Sequence, residues 1–123
     1  SAGSKPAGFI HPLAEYALTA MRIPLGPLES KSWDEFAHKP IDVVITLCDS
    51  AAQESCPIFS ETKFKAHWSL PDPAFHPGDE SARANFALLV AQRIRAKIEG
   101  LVAIDWSAPS DEINKRLRFL GEI

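Results

Sequence analysis

Three side chains in this sequence have the chemistry to react: Cys48, Cys56 and Asp72. They fall in the stretches ITLCDSAAQESCPIF and HWSLPDPA. Cys48 closes an apolar, β-branched run, Val43, Val44, Ile45, Thr46 and Leu47, which reads as a strand covered on both faces. Ligands and chemistry in open α/β sheets gather beyond the carboxyl ends of strands, and Cys48 stands at such an end. Cys56 follows after a short segment that can bend or form a short helix. Two thiols flanking one loop can form a reversible disulfide if the loop moves. The same pair also reads as two ordinary cysteines in a reducing compartment, one of them packed as a small hydrophobe. Their spacing is neither a familiar redox motif nor a zinc motif, and no histidine lies at zinc-finger spacing from them. Asp72 sits between Pro71 and Pro73 at the end of a second strand. The prolines restrict the backbone on both sides and so fix the carboxylate's direction, which suits a general acid and equally suits a turn aspartate.

The surrounding elements can be read from pattern. Residues 1–8 are rich in Gly, Pro and Ser and read as the tail of a strand or a loop leaving one. Pro12 suits a first helical turn, and Leu13, Tyr16, Ala17, Ala20 and Met21 recur at helical spacing. Pro24 requires that helix to end by Ile23. Ser32 and Glu35 have capping-box spacing and begin a short second helix, anchored to the core by Trp33 and Phe36. Residues 64–70, FKAHWSL, alternate as a strand. Asp79 and Glu80 open the longest helix, with an apolar stripe of Ala82, Phe86, Leu89, Val90, Ile94, Ile98 and Leu101. Arg83, Gln92, Arg95, Lys97 and Glu99 fall mostly outside that stripe. Ser110, Asp111 and Glu112 cap a last helix. Lys115, Arg116 and Arg118 complement its dipole, and Gly121 stands just past its end. Strands alternating with helices predict an α/β layered fold with a parallel sheet.

Composition sets the outer limits. A length of 123 residues predicts one domain with a single core. A net charge of −3 without a Lys/Arg block argues against nucleic acid as partner. No apolar stretch approaches the roughly 20 residues of a membrane helix, so no membrane partner is expected. Two cysteines and no secretory pattern predict a cytoplasmic location. Four scattered histidines, His11, His38, His67 and His76, read mainly as structural.

DVVITLCDSAAQESCPIF followed by HWSLPDPA resembles the thioredoxin-coupled arsenate reductases of the low-molecular-weight tyrosine phosphatase superfamily. The opening SAGS-x-P-x-G-x-x-HP and the segment SKSWDEF match that family's pattern in the same order. The resemblance runs from residue 1 to about residue 101. It implies a three-layer α/β sandwich with a parallel sheet. It also implies a three-thiol relay that reduces arsenate to arsenite, with no bound cofactor and thioredoxin as external reductant. A first cysteine, in a loop of the form Cys, five residues, Arg, attacks arsenate. Cys48 matches the second thiol, Cys56 the third, and the relay ends in a Cys48–Cys56 disulfide. Asp72 matches the family's general acid.

One part of the pattern has no counterpart. Glu54 stands six positions after Cys48 and Thr62 six after Cys56, where the loop would require arginine. The expectation is that this single domain is incomplete at its N-terminus, without the first strand, the phosphate loop and the first helix. An apolar strand edge would then be exposed at residues 43–47, open to a preceding segment or to a strand-swapped or edge-paired homodimer. The alternatives to an arsenate reductase are a catalytically inactive phosphatase-like binding or redox-sensing module and, third, a tyrosine phosphatase. The isolated chain is expected to turn over little arsenate.

Overall fold

The computed structural model describes residues 2–47 and 62–123. Two parallel strands lie at its centre, β1 (Val43–Thr46) and β2 (Phe64–His67). Their register pairs Val43 with Phe64 and Thr46 with His67. Among the described residues, three α-helices accompany them: α1 (Pro12–Ala20), α2 (Glu80–Val102) and α3 (Ser110–Glu122). Short 3-10 turns occupy Trp33–Phe36 and Pro73–Phe75. All four β1 residues are half-buried with no alternation, as expected of a strand that is not wetted on one face. β2 alternates instead. Among the described residues, β1 pairs with a strand on one side only.

The core forms where α3 meets the sheet. Trp68, Ile113, Leu117 and Leu120 are buried together, and Val43, Ile45, Phe64 and Ala66 pack against them from one sheet face. Leu101 near the end of α2 and Ile104 just beyond it close the cluster. Trp68 has an indole N–H that cannot be left dry in such a place. It donates to the Leu117 carbonyl oxygen at 2.9 Å. Two glycines allow the close approach. A Cβ at Gly100 would collide with Leu120 Cδ2, and one at Gly121 would lie 3.0 Å from Trp68 Cδ1.

Local sequence explains most boundaries. His11 caps α1 by accepting the Leu13 N–H on Nδ1 at 3.1 Å, and Pro12 fills the first turn, where its missing N–H costs nothing. The chain leaves α1 through a paired closure, Arg22 N–H to Thr19 O at 3.0 Å and Ile23 N–H to Leu18 O at 2.9 Å. Arg22 occupies the left-handed position of that closure at φ 58. Ser32 and Glu35 form the expected reciprocal capping box. Trp33 and Phe36 are only half-buried, and Phe36 lies beneath the Lys31 and Lys39 ammoniums rather than in the core. Residue 3 bridges in parallel to Ser32, so the N-terminal stretch behaves as a strand end.

Three expectations are corrected. On α2, Leu89 and Ile98 are exposed while Lys97 is 1% exposed. The buried line is Ala87, Val90 and Lys97, with Ile94 half-buried between them, and its lysine ends in hydrogen bonds instead of solvent. On α3, the N-cap is Pro109 with no side-chain cap bond, so Ser110 begins the helix rather than capping it. Gly121 lies inside α3 and not beyond it, because its role is closeness to Trp68 and not a left-handed stop. The C-terminal carbonyls of α3 are satisfied by Lys97, whose Nζ donates to Leu120 O at 2.7 Å, Gly121 O at 3.1 Å and Ile123 O at 2.9 Å. Burial, reinforced by nearby Arg93, lowers the Lys97 pKa below its ordinary value.

Candidate active site

The two strands end side by side, and their ladder runs past the regular pairs. Trp68 N–H donates to Thr46 O at 2.8 Å, and Leu70 N–H donates to Leu47 O at 2.9 Å. The chain after Leu47 and the chain after Leu70 therefore start from one end of the sheet, the carboxyl end where α/β folds place their chemistry. Cys48 is the next residue in the first of these segments and Asp72 the second residue beyond Leu70. Cys48 and Cys56 themselves lie outside the described residues.

Asp72 is exposed and caps the 3-10 turn at Pro73–Phe75. Its Oδ1 accepts the Ala74 N–H at 2.9 Å. Proline at position 73 cannot donate, so the first available backbone N–H belongs to Ala74, and the carboxylate is held by it. This is the turn-forming role open to an aspartate at this point, and it occupies one carboxylate oxygen. The turn is followed by His76, whose ring stacks on Phe86 of α2 with centroids 4.0 Å apart. That stack ties the acid-bearing segment to the longest helix. Phe75, next to it, is 84% exposed.

Across the strands, Thr46 Oγ1 and His67 Nδ1 lie 2.7 Å apart. Both residues occupy the last register pair of the sheet. Sequence reading placed His67 among the structural histidines; its alternation with Lys65 on the side of β2 away from Trp68 and α3 is what puts it at the site's edge. Among the described residues, no group of three His, Cys, Asp or Glu side chains could hold a metal ion. No described helix is long and apolar enough to cross a membrane. A separate cavity of about 420 Å³ lies between α2 and α3, lined by Ile104, Asp105, Glu112, Arg116 and Phe119 among others.

Comparison with known proteins supplies the rest. The sequence pattern of the family described as low molecular weight phosphotyrosine protein phosphatase matches residues 1–116. An arsenate reductase from Staphylococcus xylosus is 34% identical over 91 residues, covering 74% of this chain and 68% of that protein. An arsenate reductase from Halalkalibacterium halodurans is 31% identical over 123 residues, covering 99% of this chain and 73% of that protein. With a parallel α/β sheet, an acid-bearing turn at its carboxyl end and a family match across nearly its whole length, the chain belongs to the low molecular weight phosphotyrosine protein phosphatase family.

Proposed function

We propose that this chain carries the second and third thiols and the general acid of an arsenate reductase. The observation that carries the reading is the similarity to two arsenate reductases along most of the chain. It is supported by the bond from Leu70 to Leu47, which starts the Cys48 and Asp72 segments from adjacent positions.

In this mechanism arsenate forms a thioester-like bond to a first cysteine, with Asp72 protonating the departing oxygen. The Cys48 thiolate then attacks the sulfur of that adduct. A sulfur–sulfur bond forms, the sulfur–arsenic bond breaks, and its electron pair leaves with arsenic as arsenite. The Cys56 thiolate attacks Cys48 next, freeing the first cysteine and leaving the Cys48–Cys56 disulfide. A dithiol reductant of the thioredoxin type returns both thiols by supplying two electrons and two protons. Each attack needs a thiolate, so positive potential or a base near Cys48 favours the relay. Within residues 1–123 no cysteine is followed by arginine at the sixth position, so the first nucleophile of the scheme is not one of these two thiols.

The assay is arsenite formation by a complete enzyme that joins these residues to the first cysteine, with thioredoxin, its reductase and NADPH, and with Cys56→Ser alongside. Turnover that stops after one thiol exchange in the variant supports the relay. A chain that forms a thioredoxin-reducible disulfide but no arsenite is instead a redox-sensing member of the same family.

A further inference from the structure

On α3, Glu112, Arg116 and Phe119 follow one another at steps of four and three residues, so they stand in line on one face. Ala103 and Ile104, at the end of α2, face them across the cavity of about 420 Å³. Ile104 and Leu120 give it an apolar floor, and Ala103 is too small to fill it. That volume falls within the roughly 300–1,000 Å³ of small-molecule sites, which likewise combine apolar walls with a few polar groups. Asp72 is not among the walls.

Three charges line the cavity, and they are not equivalent. Asp105 is already held by Ser107, through the hydroxyl at 2.6 Å and the backbone N–H at 3.0 Å. Glu112 and Arg116 are both exposed and stand one helical turn apart, in the order that favours an ion pair. Among the described residues, however, neither has an ion-pair partner. On α2 the less favourable order, Arg95 before Glu99, does pair, at 3.2 Å. A simple anion would meet repulsion from Glu112, and a simple cation repulsion from Arg116. A molecule carrying an ammonium and a carboxylate close together complements both.

We propose that this cavity binds an α-amino acid with a large apolar side chain. Its carboxylate pairs with the Arg116 guanidinium and its ammonium with the Glu112 carboxylate. The side chain lies on Ile104 and Leu120 and covers the ring of Phe119, which is 54% exposed. The site uses none of the residues of the arsenate reading and does not depend on it.

The test is calorimetric titration and thermal melting of the full chain with L-phenylalanine as the probe. Saturable heat and a melting temperature that climbs with probe concentration are expected. Phenylacetate lacks the ammonium and phenethylamine lacks the carboxylate, and each should bind about tenfold more weakly, as loss of one charged hydrogen bond implies. Arg116→Gln and Glu112→Gln should each weaken phenylalanine by about the same factor. Arg116→Gln should not weaken phenethylamine, nor Glu112→Gln phenylacetate, because the partner group is already missing. Both side chains are exposed, so the variants should melt like the parent in the absence of probe. Absence of saturable phenylalanine binding by the parent overturns the proposal. Equal binding of the three compounds also overturns it, since the cavity would then take apolar bodies without reading their charges.

Discussion

Leu70 donates its backbone N–H to the Leu47 carbonyl at 2.9 Å, one pair beyond the regular strands. Because the strands are parallel, this single bond brings two segments distant in sequence to one starting line. An antiparallel pairing would have sent them to opposite ends of the sheet. The common end shared by Leu47 and Leu70 is thus a consequence of topology, set by the apolar run Val43–Thr46 and its partner Phe64–His67.

Asp72 has a structural role and a proposed chemical one, and two substitutions separate them. Asp72→Asn keeps a carbonyl oxygen for the Ala74 N–H but cannot donate a proton as an acid. It should melt like the parent and, in a complete enzyme that also carries the first cysteine, slow the chemical step by about 10²–10⁴-fold. Asp72→Ala also loses the cap, about 0.5–2 kcal/mol of stability. Equal arsenite release by parent and Asn variant would take Asp72 out of the mechanism.

Lys97→Met retains the aliphatic stem and removes three N–H donors from the end of α3. Three carbonyls then lose their partner, two of them only partly buried, and denaturant unfolding should show a loss of about 1–3 kcal/mol. Lys97→Ala should cost more, because the stem beside Trp68 is lost as well. A Met variant as stable as the parent would mean that solvent satisfies those carbonyls.

Arg22 occupies a left-handed backbone position that favours glycine. Arg22→Gly relieves that strain while adding freedom to the unfolded chain, so a net gain of about 0.5–1 kcal/mol is expected from chemical denaturation. Destabilisation would show that the arginine side chain makes a compensating contact.

Asp105 accepts from Ser107 through both the side-chain hydroxyl at 2.6 Å and the backbone N–H at 3.0 Å. The hydroxyl bond first, and the backbone bond second, lower its carboxyl below the ordinary 3.8. The folded chain therefore holds the proton less readily than the unfolded one, and the contribution to stability is full above 3.8 and fades as pH falls through the lowered value. The stability gap between the parent and Asp105→Asn should be flat above pH 4 and narrow below it. A gap that widens on acidification contradicts this sign.

The elements were legible where local rules act alone. The capping box of Ser32 and Glu35, the proline start of α1 and the strand before Cys48 follow from residue type and spacing. What escaped pattern reading depends on contacts between elements. Gly121 looked like a helix stop because glycine usually is one, yet it is a contact surface for Trp68. Lys97 looked solvated by residue type, although it falls three residues after Ile94 and four before Leu101, on the apolar stripe itself. That placement was the available signal for a buried lysine with a partner. His67 looked like one scattered histidine among four until strand register set it against Thr46.

The proposed relay ends in a bond between Cys48 and Cys56, and the most direct measurement of it is peptide mapping by mass spectrometry after mild oxidation of the folded chain. The expected result is one linked peptide joining the two cysteines, returned to free thiols by thioredoxin. Recovery of both cysteines unlinked under those conditions would contradict it.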